Sequence, residues 1–293
     1  MVLRPFLCSV FVVAVACDGT RPARDGEFIV DDFGDTLRTG QAFRRIVSLS
    51  PVTTEILFAI GAGERVVGRT HWDLYPDAAR AVTDVGNGIQ PSVESVMGVR
   101  PDLVVLYASP SNRGAAGQLH RLGVMTLTLR MDHLADFRRT VSMLARAVND
   151  SAAGASLADS VEASLRAVHA RPRPTVRPSV FWFIWESPLI TIGAGSYLNE
   201  LVETAGARNG VDDLLATSPQ VTREEIVRRN PDFILTGPEN AARIRASQAW
   251  QAVPAVRAGH ILVVDTSLVG RPGPRLGEAA RHLRSLILRD TTR

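Results

Sequence analysis

The sequence predicts an α/β protein of two lobes, each a mostly parallel sheet flanked by helices, joined by a single long helix. Three observations carry that prediction. Glu94-Ser95-Val96-Met97-Gly98-Val99-Arg100-Pro101-Asp102-Leu103-Val104-Val105 reads as a short amphipathic helix, a Pro-Asp break and a buried strand, and Glu224-Glu225-Ile226-Val227-Arg228-Arg229-Asn230-Pro231-Asp232-Phe233-Ile234-Leu235 repeats the phrase 130 residues later. Thr54-Glu55-Ile56-Leu57-Phe58-Ala59-Ile60-Gly61-Ala62 resembles Asn199-Glu200-Leu201-Val202-Glu203-Thr204-Ala205-Gly206-Ala207 at an offset of 145. Between the two halves the pattern turns helical. A cleft between lobes of like design is where small ligands usually bind.

The N-terminal stretch has the layout of a secretory signal. Met1 to Ala16 carries Arg4, then an apolar run from Pro5 that ends in small residues and is too short to span a membrane. Ala14-Val15-Ala16-Cys17 resembles a bacterial lipobox, with Ala14 where leucine is usual, so Cys17 is the expected lipid anchor; plain secretion with a free Cys17 is the alternative. Cleavage before Cys17 removes Cys8 and leaves one cysteine, which excludes an intrachain disulfide. Asp18 to Phe43, rich in Arg, Asp, Gly and Thr, reads as a tether.

The first lobe is expected over 44–133. Arg45-Ile46-Val47-Ser48-Leu49-Ser50 is a β-rich run stopped by Pro51, and Thr53 or Thr54 can cap the helix that runs to Gly61 and Gly63. Arg65–Gly68, Leu103–Tyr107 and Val124–Leu129 follow as buried strands. A helical linker is expected over 134–172: Leu134, Phe137, Val141, Leu144 and Val148, then Leu157, Val161, Leu165 and Val168, recur at three- and four-residue intervals. Gly154 and Asn149-Asp150-Ser151 suggest a break into two helices, the second long enough, at about 27 Å, to cross between lobes. The second lobe, 173–293, carries strands at Val180–Trp185, Leu189–Ile192, Phe233–Thr236 and Ile261–Asp265. A last amphipathic helix from Pro274 to Leu288 packs on it.

With 293 residues, 45% hydrophobic and 22% charged, the chain can bury two modest cores. The net charge of +3 comes entirely from arginine, since lysine is absent, and the acids and bases interleave. Without a basic stripe, a nucleic-acid surface is excluded, and the arginine bias belongs to the base composition of the genome.

Enzyme chemistry is absent from the motifs. His71, His120, His133, His169, His260 and His282 show no HExxH spacing, no cysteine pair exists and no G-x-S-x-G elbow occurs, so no catalytic residue, resident metal or cofactor is expected. Gly193-Ala194-Gly195-Ser196 lacks the third glycine of a phosphate loop and reads as a tight turn before a helix. Instead, rings and polar groups gather just after strands: His71, Trp72 and Tyr75, then Tyr107 with Asn112, then Trp185, and Arg271 in the Gly270-Arg271-Pro272-Gly273 loop. In an open parallel sheet the carboxyl ends of strands face the ligand crevice, so these groups are candidates for one site. Each has a plainer alternative: solvent for His71, the sheet edge for Trp72 and Tyr75, the core for Trp185 as for Trp182, and the chain's own carboxylates for Arg271.

The run from Arg45 through Ser50-Pro51, Thr54–Gly61, Val66-Val67-Gly68, Tyr75-Pro76, Val85-Gly86 and Pro91–Glu94 to Pro101-Asp102-Leu103-Val104 resembles the periplasmic substrate-binding proteins of ABC importers for cobalamin, haem and iron siderophores. The resemblance extends from about Arg44 to Leu288. It implies two lobes joined by one rigid helix that opens and closes little, no catalysis, and a small-molecule chelate between the lobes. It implies delivery to a dimeric permease with its ATPase, with Glu94 and Glu224, which head equivalent helices, as the docking pair; the alternative is that each glutamate simply favours its helix N-terminus. A monomer in the cell envelope is expected. The cobalamin branch fits best through Tyr75-Pro76, Thr222-Arg223-Glu224, Thr266-Ser267 and Pro274-Arg275, although Gln90 and Ser218 stand where rings could be. Haem would ask for a Tyr or His to ligate iron, for which Tyr107 and His71 remain; ferric siderophores stay open, and a metal-ion receptor would need converging His, Asp or Glu groups.

Overall fold

A computed structural model describes residues 28–40 and 42–290. Signal, lipobox and Cys17 lie outside the described residues. The described residues open with a hairpin of β1 (Phe28–Val30) and β2 (Thr36–Arg38). Lobe one follows: β3 (Ile46–Ser48), α1 (Pro51–Ala59), β4 (Val66–Arg69), α2 (Val93–Gly98), β5 (Leu103–Tyr107), α3 (Pro110–Arg121) and β6 (Met125–Leu129). Two helices, α4 (Asp136–Ala147) and α5 (Ser151–His169), lead out of it. Lobe two comprises β7 (Ser179–Trp182), a small hairpin of β8 (Trp185–Glu186) and β9 (Leu189–Ile190), α6 (Tyr197–Ala205), β10 (Arg208–Asn209), α7 (Arg223–Arg229), β11 (Phe233–Thr236), α8 (Pro238–Ala246), α9 (Pro254–Arg257), β12 (Ile261–Val263), α10 (Thr266–Val269) and α11 (Leu276–Asp290).

Both four-stranded sheets are parallel and share one topology. Lobe one runs β4-β3-β5-β6 and lobe two β10-β7-β11-β12, so in each the first strand lies between the second and third. The sequence repeats fall on equivalent elements: α1 and α6 follow the first strands, while α2 and α7 lead into the third.

The strands read as continuous apolar runs because both sheet faces are covered. Along β5, Leu103 and Val105 enter one cluster while Val104 and Leu106 enter another; along β7, Val180 and Trp182 separate from Phe181 in the same way. The cluster holding Leu103, Val105, Val180 and Trp182 is continuous through α4, α5, α6 and α11, so one core spans both lobes. Trp182 is thereby a core residue, as its mid-strand position suggested.

α5 carries that continuity. A β-carbon on Gly154 would meet the Ala145 β-carbon of α4 at 2.4 Å, and one on Gly277 of α11 would meet Ser164 Oγ of α5 at 1.9 Å. The helix that leaves lobe one thus lies against the last helix of lobe two at contact distance. Turning one lobe against the other would expose shared core, and that cost keeps the joint stiff.

Three local expectations are corrected. The tether ends earlier than Phe43: Ile29 and Leu37 pair across the hairpin and are each 1% exposed, and Asp31 pins it by accepting hydrogen bonds from Thr128 N (2.9 Å) and Thr128 Oγ1 (2.6 Å) in β6. Two three-residue strands with a single buried residue each are too short for periodicity to reveal. The N-cap of α1 is Ser50, with Pro51 in the first turn, rather than Thr53 or Thr54. Thr53 Oγ1 instead donates back to the Ser50 carbonyl (3.0 Å) and Thr54 is drawn to Asp73. Finally, of the two break signals only Asn149-Asp150-Ser151 marks the break, with Asn149 at φ of 59° and Asp150 capping α5 through Ala153 N (3.0 Å); Gly154 sits inside the helix for close packing.

Candidate ligand-binding cleft

The carboxyl ends of the lobe-one strands open onto a cleft that lobe two closes. Its deep part is a cavity of about 230 Å³ bounded by Ser50, Thr53, Tyr107 and Asp132 from lobe one and Tyr197, Thr217 and Pro272 from lobe two. A second space of about 420 Å³ shares Ser50 and Tyr107 and extends along lobe one past Trp72, Asn87, Ile89 and Ser109. The two form one groove, with Tyr107 at their junction.

Each wall has a local cause. Tyr107 is the last residue of β5, where four buried residues give way to a 40% exposed ring. Its hydroxyl donates to Asp132 Oδ1 at 2.5 Å. Burial, reinforced by the bond to Asp132 and its charge, pushes the phenol well above its ordinary pKa. Ser50 and Ser109 precede α1 and α3, each followed by proline, and neither side chain caps its helix; Ser109 Oγ pairs with Ser111 Oγ (2.8 Å), and both serines line the groove. Tyr197 lies across the cavity at the start of α6; its hydroxyl donates to the Val269 carbonyl (3.1 Å), and burial raises its pKa too.

The loop after β4 carries three of the expected residues. Trp72 is 59% exposed and lies 4.6 Å from the His71 ring, tilted by 54°. Tyr75 lies beneath the Arg275 guanidinium, 4.0 Å from ring centre to carbon. Between them Asp73 is fully buried, accepting from Thr54 Oγ1 (2.5 Å) and Thr70 Oγ1. Burial pushes the Asp73 carboxyl up, and the threonine hydroxyls with the charge of Arg271 oppose that. This anchor fixes the middle of the loop to lobe one.

Arg271 does not line the groove. Its side chain is 15% exposed and donates to Glu55 Oε1 (3.3 Å) and to the Trp72 carbonyl (2.7 Å), which is the alternative of a bond to the chain's own carboxylate. Arg275 joins it on Glu55, so neither cavity is lined by a basic side chain. Trp185, on β8, is 59% exposed and donates its indole N–H to the Ser187 carbonyl (3.1 Å); it lines neither cavity.

Glu94 and Glu224 occupy matching places. Each follows an N-cap hydroxyl by two residues, Ser92 bonded to Ser95 N (3.2 Å) and Thr222 bonded to Glu225 N (3.2 Å), and each faces solvent. The backbone N–H of Glu224 and the Thr222 hydroxyl hold its carboxyl below the ordinary range. Among the described residues, no three His, Cys, Asp or Glu side chains are placed to hold a metal ion, and no helix is long and apolar enough to cross a membrane.

Sequence reasoning passed over Glu55, Asp73, Asp132 and Arg275 as structural partners. For Glu55 a signal existed: a carboxylate inside the apolar run Ile56-Leu57-Phe58 of a buried helix demands a cation. Nothing in the sequence says which of 33 basic residues supplies it.

A family model described as "Periplasmic binding protein" matches residues 46–268, from the first strand of lobe one to α10. The chain belongs to the periplasmic binding protein family. It is thus a substrate-binding protein of the ABC-transporter kind; proteins of this kind work with a permease and ATPase, and theirs is a family of transport rather than catalysis. It is 31% identical over 256 residues to the ABC transporter substrate-binding lipoprotein YvrC of Bacillus subtilis, covering 85% of this chain and 81% of the relative. It is 24% identical over 244 residues to the vitamin B12-binding protein of Vibrio parahaemolyticus, covering 83% and 89%. Among solved structures, the periplasmic haem-binding protein RhuT of Roseiflexus superposes with a TM-score of 0.75 at 25% identity, covering 83% of this chain and 97% of that one. The vitamin B12-binding protein BtuF of Vibrio cholerae shares the fold, with a TM-score of 0.73 at 24% identity over 86% and 99%. The two-lobed family fold is therefore the fold of this chain.

Proposed function

We propose that this periplasmic binding protein captures a corrinoid of the cobalamin class in the interlobe cleft and delivers it to its permease, using Glu94 and Glu224 to dock and Cys17 as a lipid anchor to the membrane. One observation carries the choice of ligand: the groove is walled by rings, hydroxyls and aliphatic side chains with the Asp132 carboxylate, and no basic side chain lines it. A corrin periphery of neutral amides suits hydrogen-bond donors and ring faces. The two propionates of haem, or the anionic ligands of a ferric siderophore, would meet the Asp132 carboxylate and no basic side chain on the lining itself. The resemblance to vitamin B12-binding proteins supports the same reading.

Tyr107 bears on the alternatives. Ferric haem would take a phenolate there, and in the free chain burial, with the bond to Asp132, favours the neutral phenol. His71 is exposed, packs its ring on Trp72 and lies outside the lining of both cavities. The contacts expected for the corrinoid are Trp72 and Tyr107, which line the groove, with His71, Tyr75 and Trp185 as exposed rings outside that lining.

The experiment is a direct comparison. Cyanocobalamin, haemin, and ferric catecholate and hydroxamate siderophores are each incubated with purified protein, and co-eluting absorbance and heats of binding are recorded. Cyanocobalamin is expected to co-elute at one per chain. Retention of haemin or a ferric siderophore with cyanocobalamin excluded would overturn the corrinoid reading.

A further inference from the structure

The cleft is bridged by charges as well as by the α5 joint. Glu55, on α1 of lobe one, is 1% exposed at its side chain. It accepts from three donors of lobe two: Arg271 Nη1 at 3.3 Å, Arg275 Nε at 3.1 Å and Arg275 Nη2 at 2.8 Å. A β-carbon on Gly273 would lie 3.4 Å from Glu55 Oε2, so the lobe-two loop closes over the carboxylate with little room to spare. The same guanidiniums reach further into lobe one: Arg271 donates to the Trp72 carbonyl at 2.7 Å, and Arg275 stacks on Tyr75 at 4.0 Å.

We propose that Glu55, Arg271 and Arg275 form an ion clasp across the cleft that positions Trp72 and Tyr75 and sets how fast ligand enters and leaves. The proposal rests on the reading of this cleft as the ligand site. Its physical basis is that a buried carboxylate stripped of its cations is costly, so the lobes cannot part here by small steps. Either the three donors stay on Glu55 and the loop over 71–76 is held from across the cleft, or the carboxylate is rehydrated and the loop is released. The shared core behind α5 resists large rotation, which leaves this edge as the place where the cleft breathes. Arg271, expected to touch ligand, is on this account a positioning residue.

The test begins without ligand. Amide hydrogen exchange is measured on wild type and Glu55→Gln. The variant is expected to exchange about tenfold faster or more at both 71–76 and 270–275, with protection in β5 and β11 kept, because loss of the clasp frees two loops in different lobes together. With cyanocobalamin in stopped flow, association and dissociation are both expected to quicken, with the equilibrium constant changed less than either rate. A merely local role for Glu55 would alter exchange in α1 alone, and unchanged exchange in either loop overturns the clasp. Should Glu55→Gln lose protection throughout, Arg275→Lys decides: it keeps the charge but loses the paired N–H groups and the ring contact, so the same two loops should quicken and β5 and β11 should not. If wild type fails to bind cyanocobalamin, the corrinoid reading falls, while exchange still judges the clasp.

Discussion

Trp72 and Trp185 are equally exposed, yet the structure gives them different standing, since Trp72 lines the groove and Trp185 does not. Ring contacts are each worth ~0.5–1.5 kcal/mol beyond area burial, so Trp72→Ala should weaken cyanocobalamin binding by about tenfold in calorimetry. Trp185→Ala should cost less, and equal losses would put both rings on the ligand alike. His133 and Glu200 make a second contact between lobes, with Nδ1 to Oε1 at 2.7 Å, and Leu134 N donates to the other oxygen at 3.1 Å. The bond to Glu200 raises the His133 pKa against a smaller opposing effect of burial. A raised folded pKa means that the pair's contribution is complete below the unfolded value of ~6.5 and is lost as pH rises through the folded value. The Tm difference between wild type and His133→Gln should therefore be largest below ~pH 6 and shrink above it, and stay small because the pair is half exposed. A difference independent of pH would show that this pair does not titrate with folding.

At the scale of elements, two glycines decide how helices meet. In a lone helix Gly154→Ala would gain ~1 kcal/mol of propensity. Here the new β-carbon would lie 2.4 Å from that of Ala145, so α4 and α5 must part and the net change should be a loss of ~1–3 kcal/mol in chemical denaturation. A stabilised variant would mean that the two helices can slide. The β1–β2 hairpin rests on Asp31, whose carboxylate accepts from Phe33 N and Asp35 N (2.9 Å each) as well as from Thr128. Asp31→Ala should cost ~1–3 kcal/mol and open residues 28–38 to proteolysis while leaving β5 protected. Uncut hairpin in that variant would place its stability in Ile29 and Leu37 alone.

At the scale of the whole molecule, the shared strand order makes α2 and α7 equivalent, so Glu94 and Glu224 are one feature presented twice. A symmetric permease dimer with an arginine cluster on each subunit would suit that pair. Glu94→Arg with Glu224→Arg should leave cyanocobalamin affinity intact while lowering permease binding and uptake, because like charges then face each other. Uptake at the wild-type rate would leave the glutamates only their place at a helix start. Lipid at Cys17 makes a separate prediction: wild type should fractionate with membranes and Cys17→Ser should not, since durable anchoring comes from acyl chains.

How much of this was legible depended on the range of the interaction. Repeats, strand runs, the long helix and the family are properties of neighbours in sequence. Apolar runs such as Leu103–Leu106 and the doubled Pro-Asp phrase declare buried strands in two like halves without further help. The rings at strand ends were legible too, because the carboxyl edge of a parallel sheet is a general address. What only the tertiary structure decided is which side chains meet across hundreds of residues. Arg271 was open to either a ligand or a carboxylate of the chain until α1 brought Glu55 beneath it, 216 positions away in sequence. Gly154 looked like a break until α4 lay against it. A charge or a missing β-carbon has no fixed partner in a sequence, since its effect depends on distance in space, and that is set only when the lobes close on each other.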